Sequence, residues 1–195
     1  MAKSRPRRKV VWVLGAVLVF LVVFGVLWSV DLLIPVVGGR GASMAPTLPA
    51  CNGRTLGEGF TYHFRDPRRG EIVIIHARGE LGGAITPDPD ARDLNLSKRV
   101  IGIPGDTVVG RNGRVFVNGE QADDFPTEPF PVVHLGPKQY YVLGDNRAVS
   151  QDSRAFGPVP RNTIFGRVFL IYWPFGRFGV PGYDKNAVPP GEVAC

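Results

Sequence analysis

The sequence predicts a mostly β domain behind a single N-terminal transmembrane helix, on three observations. Residues 10–30 carry no charged side chain, and Asp31 closes the run. Beyond it glycine and proline become frequent and helical periodicity disappears. In its place come short runs rich in β-branched and aromatic residues, separated by turn signals.

The N-terminal elements set the topology. Residues 1–9 form a basic leader with Lys3, Arg5, Arg7, Arg8 and Lys9. A helix of about 20 apolar residues crosses a bilayer core, which residues 10–30 supply. Positive charge immediately before the span keeps the N-terminus in the cytoplasm, so residues 31–195 are expected outside it. The expected location is therefore the plasma membrane, single-pass. Trp12 and Trp28 fall near the two ends of the run, where indoles favour the interface. The competing reading is a cleaved signal peptide with residues 38–42 as its exit. Signal-peptide apolar cores are shorter, about 7–15 residues, so the length favours an anchor. On either reading the body is exported.

Within the body, residues 71–75, 100–103, 115–117 and 140–143 read as strands. Asn112-Gly113 lies between two such stretches, and a two-residue hairpin turn needs positive φ at both positions, which this pair tolerates. Asn118-Gly119 repeats that chemistry. Residues 78–95, with three glycines, two prolines and three aspartates before Asn95, read as an exposed loop joining two strands. Residues 123–137, with four prolines, read as an irregular crossing. Residues 163–173 form the longest β-branched and aromatic run, expected as a core strand that Pro174-Phe175-Gly176 stops. The aromatics of 173–178 are also of the kind that touches lipid headgroups.

Composition excludes several classes of function. Of 195 residues 44% are apolar, ordinary for a globular chain, but the net charge is +6. The leader holds five of the 23 basic residues; the other 18 face 17 acidic ones. The body thus has no basic stripe for nucleic acid, whose binding needs many Lys or Arg contacts at once. His63, His76 and His134 are isolated, Cys51 and Cys195 form no C-x-x-C unit, and no metal site or cofactor is expected. The two cysteines could pair in an oxidising compartment, but Cys195 is the last residue, where chains fray.

The chemistry concentrates in four stretches. They are Ser43-Met44-Ala45-Pro46-Thr47-Leu48, Arg69-Gly70-Glu71-Ile72-Val73, Lys98-Arg99-Val100-Ile101-Gly102-Ile103-Pro104-Gly105-Asp106, and Gly144-Asp145-Asn146-Arg147-Ala148-Val149-Ser150-Gln151-Asp152-Ser153-Arg154. A serine hydroxyl attacks poorly unless a neighbour takes its proton, and a lysine does so only once burial has made it a neutral amine. Lys98 stands beside Val100, Ile101 and Ile103, which offers such desolvation. Pro46 fixes φ three residues after Ser43 and would steady its loop.

In order and context these stretches resemble the successive boxes of bacterial type I signal peptidases, from about residue 10 to residue 175. The resemblance implies a β catalytic domain of the signal-peptidase or LexA-like type and a serine endopeptidase that cleaves exported preproteins. It makes Ser43 the nucleophile and Lys98 the general base, with the Ser43 backbone N–H in the oxyanion hole. Ser150 matches the position whose hydroxyl aims the lysine, and Asp145, Arg99, Asp152 and Arg154 match bracing charges. Met44 and Leu48 match positions lining pockets for small residues at −1 and −3 of the substrate. This chain departs from the Gram-negative pattern at Gly41, where a serine hydroxyl would add an oxyanion donor, and resembles the Gram-positive type. Ser97 stands where an apolar pocket wall is expected.

Three rivals compete. A self-cleaving LexA-like repressor would carry a DNA-binding N-terminal domain instead of an apolar span. A catalytically inactive membrane-anchored binding module has no need to retain Ser43, Lys98 and Ser150 together. A specialised processing peptidase with few clients shares every motif and stays open on sequence alone.

Overall fold

The computed structural model describes residues 6–29, 41–50, 52–77 and 94–182. The chain divides into two compact units, Met1–Leu32 and Leu33–Cys195. Most of the loop expected at 78–95, both cysteines and the first five residues of the leader lie outside the described residues.

The first unit contains helix α1, Pro6–Ser29. It starts earlier than the sequence suggested, taking in Arg7, Arg8 and Lys9, and proline is well tolerated in a first helical turn. Its side chains are described over residues 10–25, and all of them are exposed. Among the described residues, no helix is long and apolar enough to cross a membrane.

The second unit is mostly β, and its named strand pairs are all antiparallel. In chain order it contains β1 (Arg54–Glu58), α2 (Thr61–Phe64), β2 (Ile72–Ala77), β3 (Leu94–Gly102), β4 (Thr107–Arg111), β5 (Arg114–Val117) and β6 (Glu120–Gln121). Then follow β7 (Phe130–His134), β8 (Gln139–Leu143), α3 (Ser153–Phe156), β9 (Val159–Pro160) and β10 (Ile164–Trp173), with 3-10 turns at Arg161–Thr163 and Phe175–Arg177. One sheet runs β1-β10-β2-β3-β8-β9 and the other β6-β5-β4-β7.

The hairpin chemistry is as expected. Asn112 and Gly113 have φ of 51° and 72° and join β4 to β5, while Asn118 and Gly119, at 53° and 89°, turn the chain again into β6. Three expectations need correction. Residues 94 and 95 open β3, paired with Ala77 and His76, so the loop is shorter than 78–95. The crossing at 123–137 contains β7, in which Pro131 is tolerated because β7 is an edge strand with a register shift against β4. Strand β10 alternates buried and half-buried residues and is not core throughout.

Strand β3 sits inside the larger sheet, between β2 and β8. Val73, Ile75, Val100, Tyr140, Val142 and Ile164 build one apolar cluster there. Ile101, Val108, Val115, Tyr141 and Leu143 build a second, joining the smaller sheet to the larger. Burial on this scale makes β3 a rigid platform for whatever side chain it presents.

Candidate active site

Lys98 is presented by the middle of β3. Opposite it on β2 stands Val73, and two residues along is Val100, both fully buried. The lysine itself is 3% exposed. Desolvation by burial lowers its pKa from the ordinary 10.5 to about 8, while the charges of Asp152 and Asp145 pull it back upward. Burial prevails, as the apolar flanks of β3 suggested. The Nζ atom lies 3.0 Å from Ser43 Oγ, across 55 positions of sequence.

Ser43 opens a compact turn. Ala45 N donates to Ala42 O at 3.1 Å and Leu48 N to Met44 O at 2.8 Å, closing residues 42–48 on themselves. From the far side Asn146 N donates to Ser43 O at 3.0 Å, tying the serine to the loop after β8. Met44 and Leu48, expected to face substrate, are 4% and 8% exposed and pack with Ile72, Ile74, Val168 and Ile171. They anchor the turn in the core.

The loop at 144–152 is braced by two ion pairs whose carboxylates are fully buried. Arg99 grips the fully buried Asp145 through Nε at 2.8 Å and Nη2 at 2.6 Å. The same guanidinium donates to Gly70 O at 2.7 Å and reaches Thr47 Oγ1 at 3.4 Å, linking β3, the serine turn and the loop. Asp152, also fully buried, accepts from Arg154 Nε at 2.8 Å and from Gly144 N at 3.0 Å, and caps α3 through Arg154 N. Arg154 Nη2 then donates to Arg147 O and Ser150 O at 2.8 and 3.3 Å. Asp152 and Asp145 act on the Lys98 charge, and each is held by its arginine, Arg154 and Arg99.

Ser150 differs from expectation. Its Oγ is buried without a hydrogen-bond partner among the described residues, and the Lys98 amine donates to Ser43 Oγ. Gly144 makes room for it: a Cβ there would meet Ser150 Oγ and, at 2.5 Å, the Ser43 carbonyl oxygen. Gly41 is exposed and has open space where a side chain would be. Arg147 was not singled out by the sequence, yet it is 5% exposed and joins Gly144 O at 2.8 Å to Asp123 at 2.5 Å. Its place inside the Gly-Asp-Asn-Arg stretch was the available signal. Among the described residues no cluster of His, Cys, Asp or Glu could hold a metal ion.

A hydroxyl in hydrogen-bond contact with a desolvated amine, on a rigid β platform, is the arrangement of peptidases that pair serine with lysine. The family model for signal peptidase, peptidase S26, matches residues 8–173. The signal peptidase I of Leptolyngbya laminosa is 39% identical over 145 residues, covering 72% of this chain and 69% of that protein. The probable signal peptidase I-2 of a Synechocystis strain is 40% identical over 144 residues, with coverage of 71% and 63%. The signal peptidase IB of Staphylococcus aureus is 34% identical over 163 residues, with coverage of 71% and 78%. The chain belongs to the signal peptidase family, peptidase S26.

Proposed function

We propose that this chain is a membrane-anchored serine endopeptidase that removes signal peptides from exported preproteins, cutting after small residues at −1 and −3. The contact between Lys98 Nζ and Ser43 Oγ at 3.0 Å carries the reading, because the lysine is buried enough to lose its proton near pH 8. The neutral amine takes the Ser43 proton as Oγ attacks the scissile carbonyl. The Ser43 backbone N–H receives the developing oxyanion, and Gly41 adds no hydroxyl to it. The Lys98 ammonium returns its proton to the leaving amine, freeing the mature chain and leaving the signal peptide esterified to Ser43. Lys98 then takes a proton from the water that attacks this ester and returns it to Ser43 Oγ as the acyl bond breaks, restoring the hydroxyl and the neutral amine. Arg99 with Asp145, and Arg154 with Asp152, keep the loop around the pair from shifting, which matters because small misplacements of a base cost rate steeply.

The anchor is read from the sequence, in which residues 10–30 are free of charge. At about 1.5 Å rise per residue a helix over that run would extend for about 32 Å, against a hydrocarbon core of about 30 Å. The basic residues ahead of that run place the N-terminus in the cytoplasm and the catalytic body, residues 31–195, outside it. Trp173, Phe175 and Phe178 are exposed and supply the aromatic surface for contact with lipid headgroups.

The test is cleavage of a purified preprotein by the full chain in detergent, with N-terminal sequencing of the product. The proposal expects one new N-terminus, directly after a small-x-small sequence. Cuts scattered through the preprotein, or none, would count against it.

A further inference from the structure

The turn that carries Ser43 closes with help from a distant arginine. Carbonyls 42, 43 and 44 accept from Ala45 N, Asn146 N and Leu48 N. Pro46 and Thr47 lie in the buried part of the turn, where a carbonyl without a donor is costly. Both accept from one nitrogen, Arg177 Nη2, at 2.6 Å to Pro46 O and 2.9 Å to Thr47 O. That nitrogen has two N–H groups, one for each carbonyl.

Arg177 is itself held in place. Ile171 and Gly179 exchange backbone bonds at 2.8 and 3.1 Å, which closes residues 172–178 into a loop at the end of β10. Inside it Arg177 N donates to Pro174 O at 2.9 Å and Phe178 N to Phe175 O at 3.1 Å. The loop carries its aromatic rings outward and sends the guanidinium to the serine turn.

We propose that Arg177 is a positioning residue for the reaction: it fixes the turn that aims Ser43 Oγ at Lys98, without touching substrate. This rests on the reading of Ser43 as nucleophile. Among the described residues the turn is also held by Asn146 N on Ser43 O, the Lys98 contact on Ser43 Oγ, the Arg99 contact on Thr47, and the apolar seats of Met44 and Leu48. Loss of Arg177 therefore loosens the turn without releasing it, and the consequence falls on kcat more than on folding.

The experiment compares full-chain wild type, Arg177→Ala, Arg177→Lys and Ser43→Ala on one preprotein, with thermal midpoints measured in the same detergent. Arg177→Ala is expected to lower kcat about 10- to 100-fold with KM changed less than about threefold, as for a displaced catalytic group. Arg177→Lys recovers part of the loss, since an ammonium also donates to two carbonyls. Guanidinium ion at concentrations too low to denature recovers part of the loss in Arg177→Ala and leaves Arg177→Lys unchanged. A kcat within about twofold of wild type overturns the proposal. So does a fall matched by lost folded protein and unresponsive to guanidinium. The reading of Ser43 fails separately, if Ser43→Ala still cleaves.

Discussion

Lys98 is expected to set the pH dependence of both cleavage and stability, with opposite consequences at neutral pH. Its pKa of about 8, against an ordinary 10.5, leaves about one amine in ten neutral at pH 7, where an unshifted lysine would leave about three in ten thousand. The kcat/KM of the enzyme should rise about tenfold per pH unit below pH 8 and level off above it. The same shift costs stability. The folded-state pKa is depressed, so the unfolded chain binds the proton more tightly. The full penalty applies below about pH 8, fades between about 8 and 10.5, and is absent above that range. A shift of this size corresponds to about 3 kcal/mol. The lost contact with Ser43 offsets about 1 kcal/mol of that. Lys98→Met, similar in length and apolar, should therefore be about 2 kcal/mol more stable than wild type at pH 7 while inactive. The gain should vanish by about pH 10.5. Urea unfolding of the full chain in detergent at pH 7 and pH 10, beside initial rates from pH 6 to 10, measures both. A rate rise centred near 10.5 would refute the reasoning, as would a Lys98→Met variant less stable than wild type by the same amount at both pH values.

Gly144→Ala should reduce cleavage about tenfold or more and destabilise by about 1–3 kcal/mol, because the new methyl meets the Ser43 carbonyl oxygen at 2.5 Å and backbone cannot swing aside. A variant with wild-type rate and unfolding midpoint would show that the turn yields freely. Asp145→Ala strands the Arg99 charge in a site where its side chain is only 14% exposed, and should cost about 3–5 kcal/mol in urea unfolding. A loss under about 1 kcal/mol would mean that Gly70 O and Thr47 suffice for that charge. Binding of residues 31–195 to vesicles should weaken when Trp173 and Phe175 are both replaced by serine; unchanged binding would remove this loop from the lipid contact.

How far the sequence revealed this arrangement varies with the range of the forces involved. The Asn112-Gly113 and Asn118-Gly119 turns were legible because positive φ is a local demand that few residue pairs meet. The burial of Lys98 was legible because Val100, Ile101 and Ile103 mark β3 as interior. Strand β1 was not, since its five residues include Arg54, Gly57 and Glu58 and become a strand by pairing with β10. Strand β7 was hidden by Pro131, which reads as a breaker until the strand is known to be an edge. Ser150 packs against Gly144 beside the Ser43 carbonyl, and the surroundings of its hydroxyl depend on that packing, which no spacing encodes. Arg177 carried no local mark, as its acceptors are 131 and 130 positions away.

The central claim is that Ser43 and Lys98 act as one catalytic unit, and the most direct measurement is the cleavage rate of one preprotein by wild type, Ser43→Ala, Lys98→Ala and the double variant, each shown to be folded. Each single change should lower the rate about a thousandfold or more, and the double variant should be no slower than the singles, because a base without its nucleophile contributes nothing. A single variant that keeps wild-type activity, or losses that multiply in the double variant as for independent sites, would contradict it.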